Sequence, residues 1–179
     1  MEIKEILEYD IDNKLKNKLQ KLLVDSFGTD FPSDRIYYKQ LPHFRIIVSN
    51  ENKDIIGQAG IDYRAMNLNG KSIMVIGIID LCVAKAYRSK GIGSLILSEI
   101  HKFCKDKSVD YILLFADNPK LYLNNGFVSV ENKCKWLQIN DEDQTIYGIG
   151  HERIKELMIK ELRGKKWEDG ELDLLGYLY

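Results

Sequence analysis

The sequence is poor in the residues that build disulfide frameworks and metal sites. Its 179 residues include three cysteines, Cys82, Cys104 and Cys134, three histidines and no Cys-x-x-Cys pair. Disulfide scaffolds use an even number of cysteines, and structural zinc sites use clustered cysteines and histidines. We therefore expect free thiols in a reducing compartment and no metal ion.

Long apolar runs and an export signal are also lacking. The longest apolar stretch, Ile73 to Ala84, contains Asp80 and is much shorter than the roughly 20 residues of a membrane-spanning helix. The first ten residues, MEIKEILEYD, are interrupted by charges, unlike a signal peptide. We expect a cytoplasmic protein that does not enter a membrane.

An excess of charge of either sign is absent as well. Lys and Arg number 26, Asp and Glu number 27, and the net charge is −1. Proteins that bind nucleic-acid backbones usually have a clear basic excess, so we expect no nucleic-acid partner. The 45% of hydrophobic residues and the chain length predict one folded domain over residues 1–179.

Hydrophobic periodicity and turn residues predict an α+β order of elements. Asp12 is a candidate N-cap for a helix that ends before Gly28, and Asn69-Gly70 is a strong hairpin signal. A second helix, with an apolar stripe from Ile92 to Phe103, is predicted at a glycine-bearing turn; a short helix is predicted over Asp117–Asn125, and a short helix or loop over Ser33–Gln40. The predicted strands are residues 1–9, Phe44–Val48, Ile55–Tyr63, Ser72–Ala84, Tyr111–Phe115, Lys135–Ile139 and Leu157–Leu162.

Glycine and positive charge are concentrated in one turn between a predicted strand and a predicted helix. The turn reads Arg88-Ser89-Lys90-Gly91-Ile92-Gly93-Ser94. Unpaired N–H groups of a first helical turn and nearby glycines suit a pyrophosphate. Neither a P-loop nor a dinucleotide fingerprint fits, since no Lys follows Gly93 and Ile96 replaces the third glycine. An ordinary glycine-rich turn stays an alternative.

The pattern Arg-x-x-Gly-x-Gly in this turn resembles the acyl-CoA pyrophosphate loop of the GNAT superfamily of N-acetyltransferases. Downstream, Tyr122-Leu-Asn-Asn-Gly126-Phe127 resembles the family's Tyr-x-x-x-Gly-Phe motif. A predicted helix and strand lie between the two motifs, as they do in that family. Phe115 and Asn118 depart from the residues that the family often has there. The resemblance covers roughly residues 44–130.

This resemblance implies a mixed, mostly antiparallel twisted sheet flanked by helices, with a central βαβ unit that binds acyl-CoA. It also implies an N-acetyltransferase in which a primary amine attacks acetyl-CoA directly. The residues that it places at acetyl-CoA are Leu81, Cys82, Val83, Arg88, Ser89, Lys90, Gly91, Ile92, Gly93, Ser94, Asn118 and Tyr122.

Two catalytic residues are implied by the resemblance, Tyr122 and Asp80. Tyr122 would protonate the coenzyme A sulfur, because a phenol with a pKa near 10 stays protonated at pH 7. Asp80 would take the proton of the amine, directly or through water; the alternative is a structural carboxylate that caps a splayed strand or pairs with a basic side chain. Backbone N–H groups of Leu81–Val83 would bind the oxyanion, and Cys82 would not act as a nucleophile.

The amine acceptor is open at this level. Weaker similarity to aminoglycoside 2′-N-acetyltransferases suggests a cationic sugar held by acidic residues late in the chain, although those charges also fit a solvated turn. A peptide or protein amine is another acceptor, and a non-catalytic acyl-CoA sensor is the alternative to an enzyme. The apolar ending at residues 172–179 would either complete the sheet or cover a partner such as a second copy of the chain.

Overall fold

The computed structural model describes residues 1–29 and 31–179, in which ten strands and three α-helices follow an α+β order. The helices are α1 (Asn13–Phe27), α2 (Ile92–Cys104) and α3 (Lys120–Leu123). The strands are β1 (Glu2–Leu7), β2 (Phe44–Ser49), β3 (Ile55–Leu68), β4 (Lys71–Val83), β5 (Tyr111–Phe115), β6 (Val128–Ser129), β7 (Lys133–Ile139), β8 (Ile146–Arg153), β9 (Leu157–Glu161) and β10 (Glu171–Tyr177).

The chain divides into two compact units. Unit 1 consists of Met1–Asp62 and Ile79–Lys105, and unit 2 consists of Tyr63–Ile78 and Asp106–Tyr179. Strands β3 and β4 each contribute residues to both units. The expectation of one domain over residues 1–179 stays a prediction.

In unit 1, β1 pairs with β2 and β2 pairs with β3, both antiparallel, and β3 neighbours β4. Helix α1 begins as predicted, because Leu15 N donates to Asp12 Oδ1 at 2.7 Å, and it ends at Gly28 with φ +96°. The predicted segment Ser33–Gln40 is a loop and not a helix. The α1 side of the core consists of Leu19, Leu22, Leu23, Phe31, Ile36, Ile47 and Cys82.

Helix α2 packs closely on the strands of unit 1. A Cβ atom at Gly57 would lie 2.9 Å from Ile92 Cγ2, so the first turn of the helix rests on bare backbone of β3. At the other end, the rings of Phe44 and Phe103 lie 4.8 Å apart. This packing fixes the start of α2, and with it the glycine turn.

In unit 2 the strand order is β6-β9-β5-β4-β3-β10-β7-β8. The β4–β5 and β10–β7 pairs are parallel, and the β5–β9, β6–β9, β10–β3 and β7–β8 pairs are antiparallel. Asn69 and Gly70, with φ of +51° and +82°, form the predicted hairpin turn between β3 and β4. The sequence did not predict β6, β8 or β10; β10 shows that the apolar ending completes the sheet.

The three thiols agree with the expectation from the cysteine count. Cys82, Cys104 and Cys134 are buried and free. Within residues 1–29 and 31–179, no helix is long and apolar enough to cross a membrane. The same residues contain no group of three metal-binding side chains.

Two glycines of β8 allow a test of its packing against β7. A Cβ atom at Gly150 would lie 2.3 Å from the Trp136 ring, so we expect Gly150→Ala to displace that ring and to lower the free energy of unfolding by about 1–3 kcal/mol in urea denaturation. Gly148→Ala is the matched control, because its Cβ would meet only Gln138 Oε1, the end of a flexible side chain, at 3.1 Å. Equal losses for both variants would contradict the packing.

Candidate functional site

The backbone of β4 changes direction at Asp80. Asp80 has φ +49°, a left-handed conformation that is uncommon in a strand and that Asp adopts more readily than most residues. Gln58 Nε2 donates to the carbonyl oxygen of Asp80 and contacts Cys82 Sγ at 3.9 Å. Tyr38 N donates to Asp80 Oδ2 at 3.1 Å. Asp80 therefore faces the loop that precedes β2.

Burial raises the pKa of the Asp80 carboxyl from 3.8 to about 6, against the opposing effects of the Tyr38 N–H and the Arg45 charge. The carboxyl accepts a hydrogen bond from a backbone N–H, which fits a capping role as well as a catalytic one, so the choice between the two stays a prediction. A carboxyl with a pKa near neutrality is suited to general base catalysis.

Cys82 lies two residues after Asp80 in β4, and its side chain is buried in the core. Burial raises the pKa of this thiol to about 11, despite hydrogen bonds from Ser26 and Gln58. Because the thiolate is the nucleophilic form, Cys82 is not activated for attack. This agrees with the expectation that Cys82 only occupies a position along the strand.

The glycine turn follows directly after β4 in unit 1. Gly91 caps α2 in the left-handed conformation, with φ +81° and no atom within 4 Å of where a Cβ would be. Arg88 Nε donates to Val83 O at 3.0 Å, which ties the turn to the end of β4, and Lys90 Nζ lies 5.2 Å from the centre of the Tyr87 ring. Arg88, Ser89 and Lys90 are exposed beside the first turn of α2.

Tyr122 and Asn118 lie in unit 2. The Tyr122 ring is half-buried and meets Phe127 edge-on at 5.8 Å, and Phe127 N donates to Tyr122 O at 3.1 Å. This contact explains the spacing of the Tyr-x-x-x-Gly-Phe motif, with Gly126 at φ +81°. Asn118 Oδ1 accepts from Lys120 N at 3.2 Å just before α3, which is shorter than the predicted helix Asp117–Asn125.

The parallel β4–β5 ladder, in unit 2, ends several residues before β4 itself does. It joins Val75–Gly77 to Tyr111–Leu113, whereas β4 continues to Val83. The candidate residues 80–83 and 88–94 thus belong to unit 1, and the candidates Asn118 and Tyr122 belong to unit 2.

The acidic residues near the chain end are engaged in ion pairs. Glu168 lies 3.0 Å from Lys71, Asp173 lies 2.8 Å from Lys135, and Glu171 lies 3.0 Å from His151. Basic partners therefore neutralise much of the acidic charge that the sequence offers to a cationic acceptor.

Sequence reasoning missed the polar residues that hold Asp80. Arg45 is fully buried, donates to both carboxylate oxygens of Glu8 at 2.8 and 2.9 Å, and donates to Gln58 Oε1 at 2.9 Å. A charged residue inside the strand sequence Phe-Arg-Ile-Ile-Val, and a Gln inside the next strand, were signals that could have found them.

Comparison with known proteins identifies a domain in the middle of the chain. Residues 42–129 match the family model of the acetyltransferase (GNAT) domain. This match covers just under half of the chain, and the prediction of an acyltransferase is confirmed. A search of curated proteins found no match.

Solved structures confirm the predicted GNAT fold. The GNAT family N-acetyltransferase YhbS of Escherichia coli, solved with CoA, is 15% identical with a TM-score of 0.63 over 96% of this chain and 88% of its own. NAA60 of Arabidopsis thaliana, solved with a bisubstrate analogue, is 15% identical with a TM-score of 0.60 over 92% of this chain and 100% of its own. A GCN5-related N-acetyltransferase of Anabaena variabilis is 16% identical with a TM-score of 0.62; it matches 75% of this chain, which spans 34% of that protein.

The raised pKa of Asp80 predicts how stability depends on pH. Ionisation of this carboxyl opposes folding, so the wild-type protein should lose stability as the pH rises from about 4 to about 6. Asp80→Asn keeps an oxygen for Tyr38 N and removes the charge. We expect the free energy of unfolding of the variant, relative to that of the wild type, to rise across this window by up to about 3 kcal/mol. This figure follows from about 1.4 kcal/mol per unit of pKa shift.

Urea unfolding at a series of pH values from 4 to 8 measures this difference. Asp143→Asn is the control, because the hydrogen bonds from Thr145 lower the pKa of Asp143 and its difference from the wild type should therefore change little above pH 4. A difference between Asp80→Asn and the wild type that is constant from pH 4 to 8 would show that Asp80 has an ordinary pKa.

Proposed function

We propose, from the GNAT acetyltransferase domain at residues 42–129, that the chain is an acetyl-CoA-dependent N-acetyltransferase that acts on a primary amine. The observation that carries the proposal is the turn at the start of α2. Gly91 is left-handed there, its surroundings are open, and Arg88 and Lys90 are exposed beside the positive end of the helix dipole. This arrangement suits the pyrophosphate of coenzyme A.

The end of β4 would bind the rest of the coenzyme. Since the β4–β5 ladder stops at Gly77, we propose that pantetheine lies along Leu81–Val83 like an added strand, with main-chain hydrogen bonds. Backbone N–H groups of the same segment would bind the oxyanion of the tetrahedral intermediate. The E. coli YhbS structure contains CoA, which supports a coenzyme A ligand for this fold.

The reaction would be a direct attack of the amine nitrogen on the thioester carbon. The C–N bond forms as the C–S bond breaks, and the coenzyme A thiolate leaves. Asp80, whose pKa of about 6 makes it largely ionised at pH 7 and above, would accept the proton that the nitrogen loses, directly or through water. Tyr122 would give its phenolic proton to the departing sulfur. Asn118 would contact the coenzyme from the start of α3.

A small amine is the acceptor class that the charges favour. The ion pairs of Glu168, Glu171 and Asp173 leave little net negative charge for a polycationic aminoglycoside in unit 2. In unit 1, the Asp80 carboxyl faces a loop that contains the half-buried ring of Tyr38. An amine carried on an apolar or aromatic group matches these surroundings, including the amine of a peptide.

Tyr122 tests the enzyme against an acyl-CoA sensor. Thiol release from acetyl-CoA is measured with a panel of small amines, amino acids, peptides, polyamines and aminoglycosides. With the best amine we expect Tyr122→Phe to lower kcat by about a hundredfold, because the leaving thiolate loses its proton donor, while acetyl-CoA affinity stays unchanged. Tyr147→Phe, at a tyrosine of β8 that is 66% exposed, is the control that should keep full activity.

Two results would count against this assignment. No stimulation of thiol release by any amine would favour the sensor. Full turnover of Tyr122→Phe would remove the hydroxyl from the reaction.

Gly93 tests the pyrophosphate turn independently of turnover. Gly93→Val places a branched side chain beside the N–H groups of the first turn of α2, and we expect the Kd for acetyl-CoA in calorimetry to rise about tenfold, as for one lost hydrogen bond to a charged group. Ser98→Val introduces the same residue on an exposed position of the same helix and should not change the Kd. Equal affinity in both variants would mean that the coenzyme binds elsewhere.

A further inference from the structure

The turn of β4 at Asp80 depends on a side chain from the neighbouring strand. The backbone at Asp80 is left-handed within β4, and the Asp80 carbonyl accepts a hydrogen bond from the side chain of Gln58. Gln58 is itself completely buried. Its amide therefore satisfies a buried backbone acceptor at the point where the strand departs from regular geometry.

A buried charge fixes which way the Gln58 amide points. Arg45 Nη1 donates to Gln58 Oε1 at 2.9 Å, so the Gln58 oxygen faces Arg45 and its nitrogen is left to donate to Asp80. The guanidinium cannot move easily, because Glu8 holds it by two hydrogen bonds and Arg45 Nη2 also donates to Ile36 O at 2.7 Å.

We propose that Gln58, oriented by the buried Arg45–Glu8 pair, is a positioning residue that sets the left-handed turn at Asp80 and so aims the Asp80 carboxyl and the segment Leu81–Val83 at the substrates. This inference rests on the proposed function for its catalytic consequence. It gives the network a purpose beyond stability, since a buried ion pair by itself stabilises a fold little.

Several groups surround Asp80 in unit 1 besides Gln58. The charges of Arg45 and Glu8 act on it with opposite sign, the Tyr38 N–H bonds to it, and the thiol of Cys82 lies two residues away. Arg35 holds the carbonyl of Tyr38 by Nε and Nη2, at 3.4 and 3.3 Å. Arg35 therefore holds the loop that bonds to the Asp80 carboxyl, and Gln58 holds the strand that carries it.

Gln58→Glu separates positioning from packing. The substitution keeps the shape and an oxygen for Arg45 Nη1, and it removes the donor to the Asp80 carbonyl. Gln20→Glu is the matched control, because Gln20 Nε2 also donates to a backbone carbonyl of unit 1, that of Pro32 at 2.5 Å. We expect Gln58→Glu to lower kcat at least tenfold with the Kd for acetyl-CoA within threefold, and Gln20→Glu to leave kcat unchanged.

The pH profile of kcat adds a readout that loss of packing would not move. The new carboxylate in Gln58→Glu repels the ionised Asp80, so the acidic limb of the profile should move to higher pH. Turnover is expressed per acetyl-CoA binding site to correct for unfolded protein. A kcat and an acidic limb equal to those of the wild type would overturn the inference.

Hydrogen exchange tests the geometry without any turnover. Gln58→Glu should speed exchange of the amides of Tyr38 and of Ile79–Val83, and Gln20→Glu should not. Unchanged exchange at these amides would overturn the role of Gln58. If no amine stimulates thiol release by the wild-type protein, the proposed function fails. The exchange measurement still decides whether Gln58 holds the turn.

Discussion

A buried positive charge on β2 governs the geometry of unit 1. Arg45 is without solvent exposure, so its guanidinium needs acceptors in the protein, and Glu8, Gln58 and Ile36 O supply them. These acceptors come from the end of β1, from β3 and from the loop before β2. One side chain thus links three segments, and through Gln58 it reaches the turn of β4. Removing the charge would leave several buried polar groups unpaired at once.

This arrangement has a cost at the residue that it positions. Asp80 is held in a left-handed conformation and in surroundings that raise its pKa to about 6, and both features oppose folding at neutral pH. Such strain is typical of sites that act on a ligand, where the fold sustains a geometry that the residue alone would not adopt. The same burial that makes ionised Asp80 unfavourable makes it a stronger base than an exposed aspartate.

What the sequence predicted correctly depends on local chemistry. Asp12 caps α1 through a hydrogen bond to a residue three positions later, and Asn69-Gly70 adopts the two positive φ angles of a tight hairpin. Gly91, in the glycine turn, is the N-cap of α2. The missed features are non-local. Strand β10 pairs with β3 and β7, far away in the sequence, and Gln58 is linked to Asp80 by a contact between strands. No periodicity within one segment encodes either contact.

The near-zero net charge has a structural explanation that bears on the acceptor. Acidic residues late in the chain face basic partners from other strands, as in Lys71–Glu168 and Lys135–Asp173, and exposed pairs of this kind cancel charge without much stability. The basic residues of the glycine turn differ: Arg88 bonds to a carbonyl and Lys90 lies over a ring, so both keep their charge. Among the described residues, positive charge without a carboxylate partner at 4 Å thus lies where a pyrophosphate would bind. In the proposed reaction, recognition of the amine would then depend on shape and on the Asp80 carboxyl more than on an acidic surface.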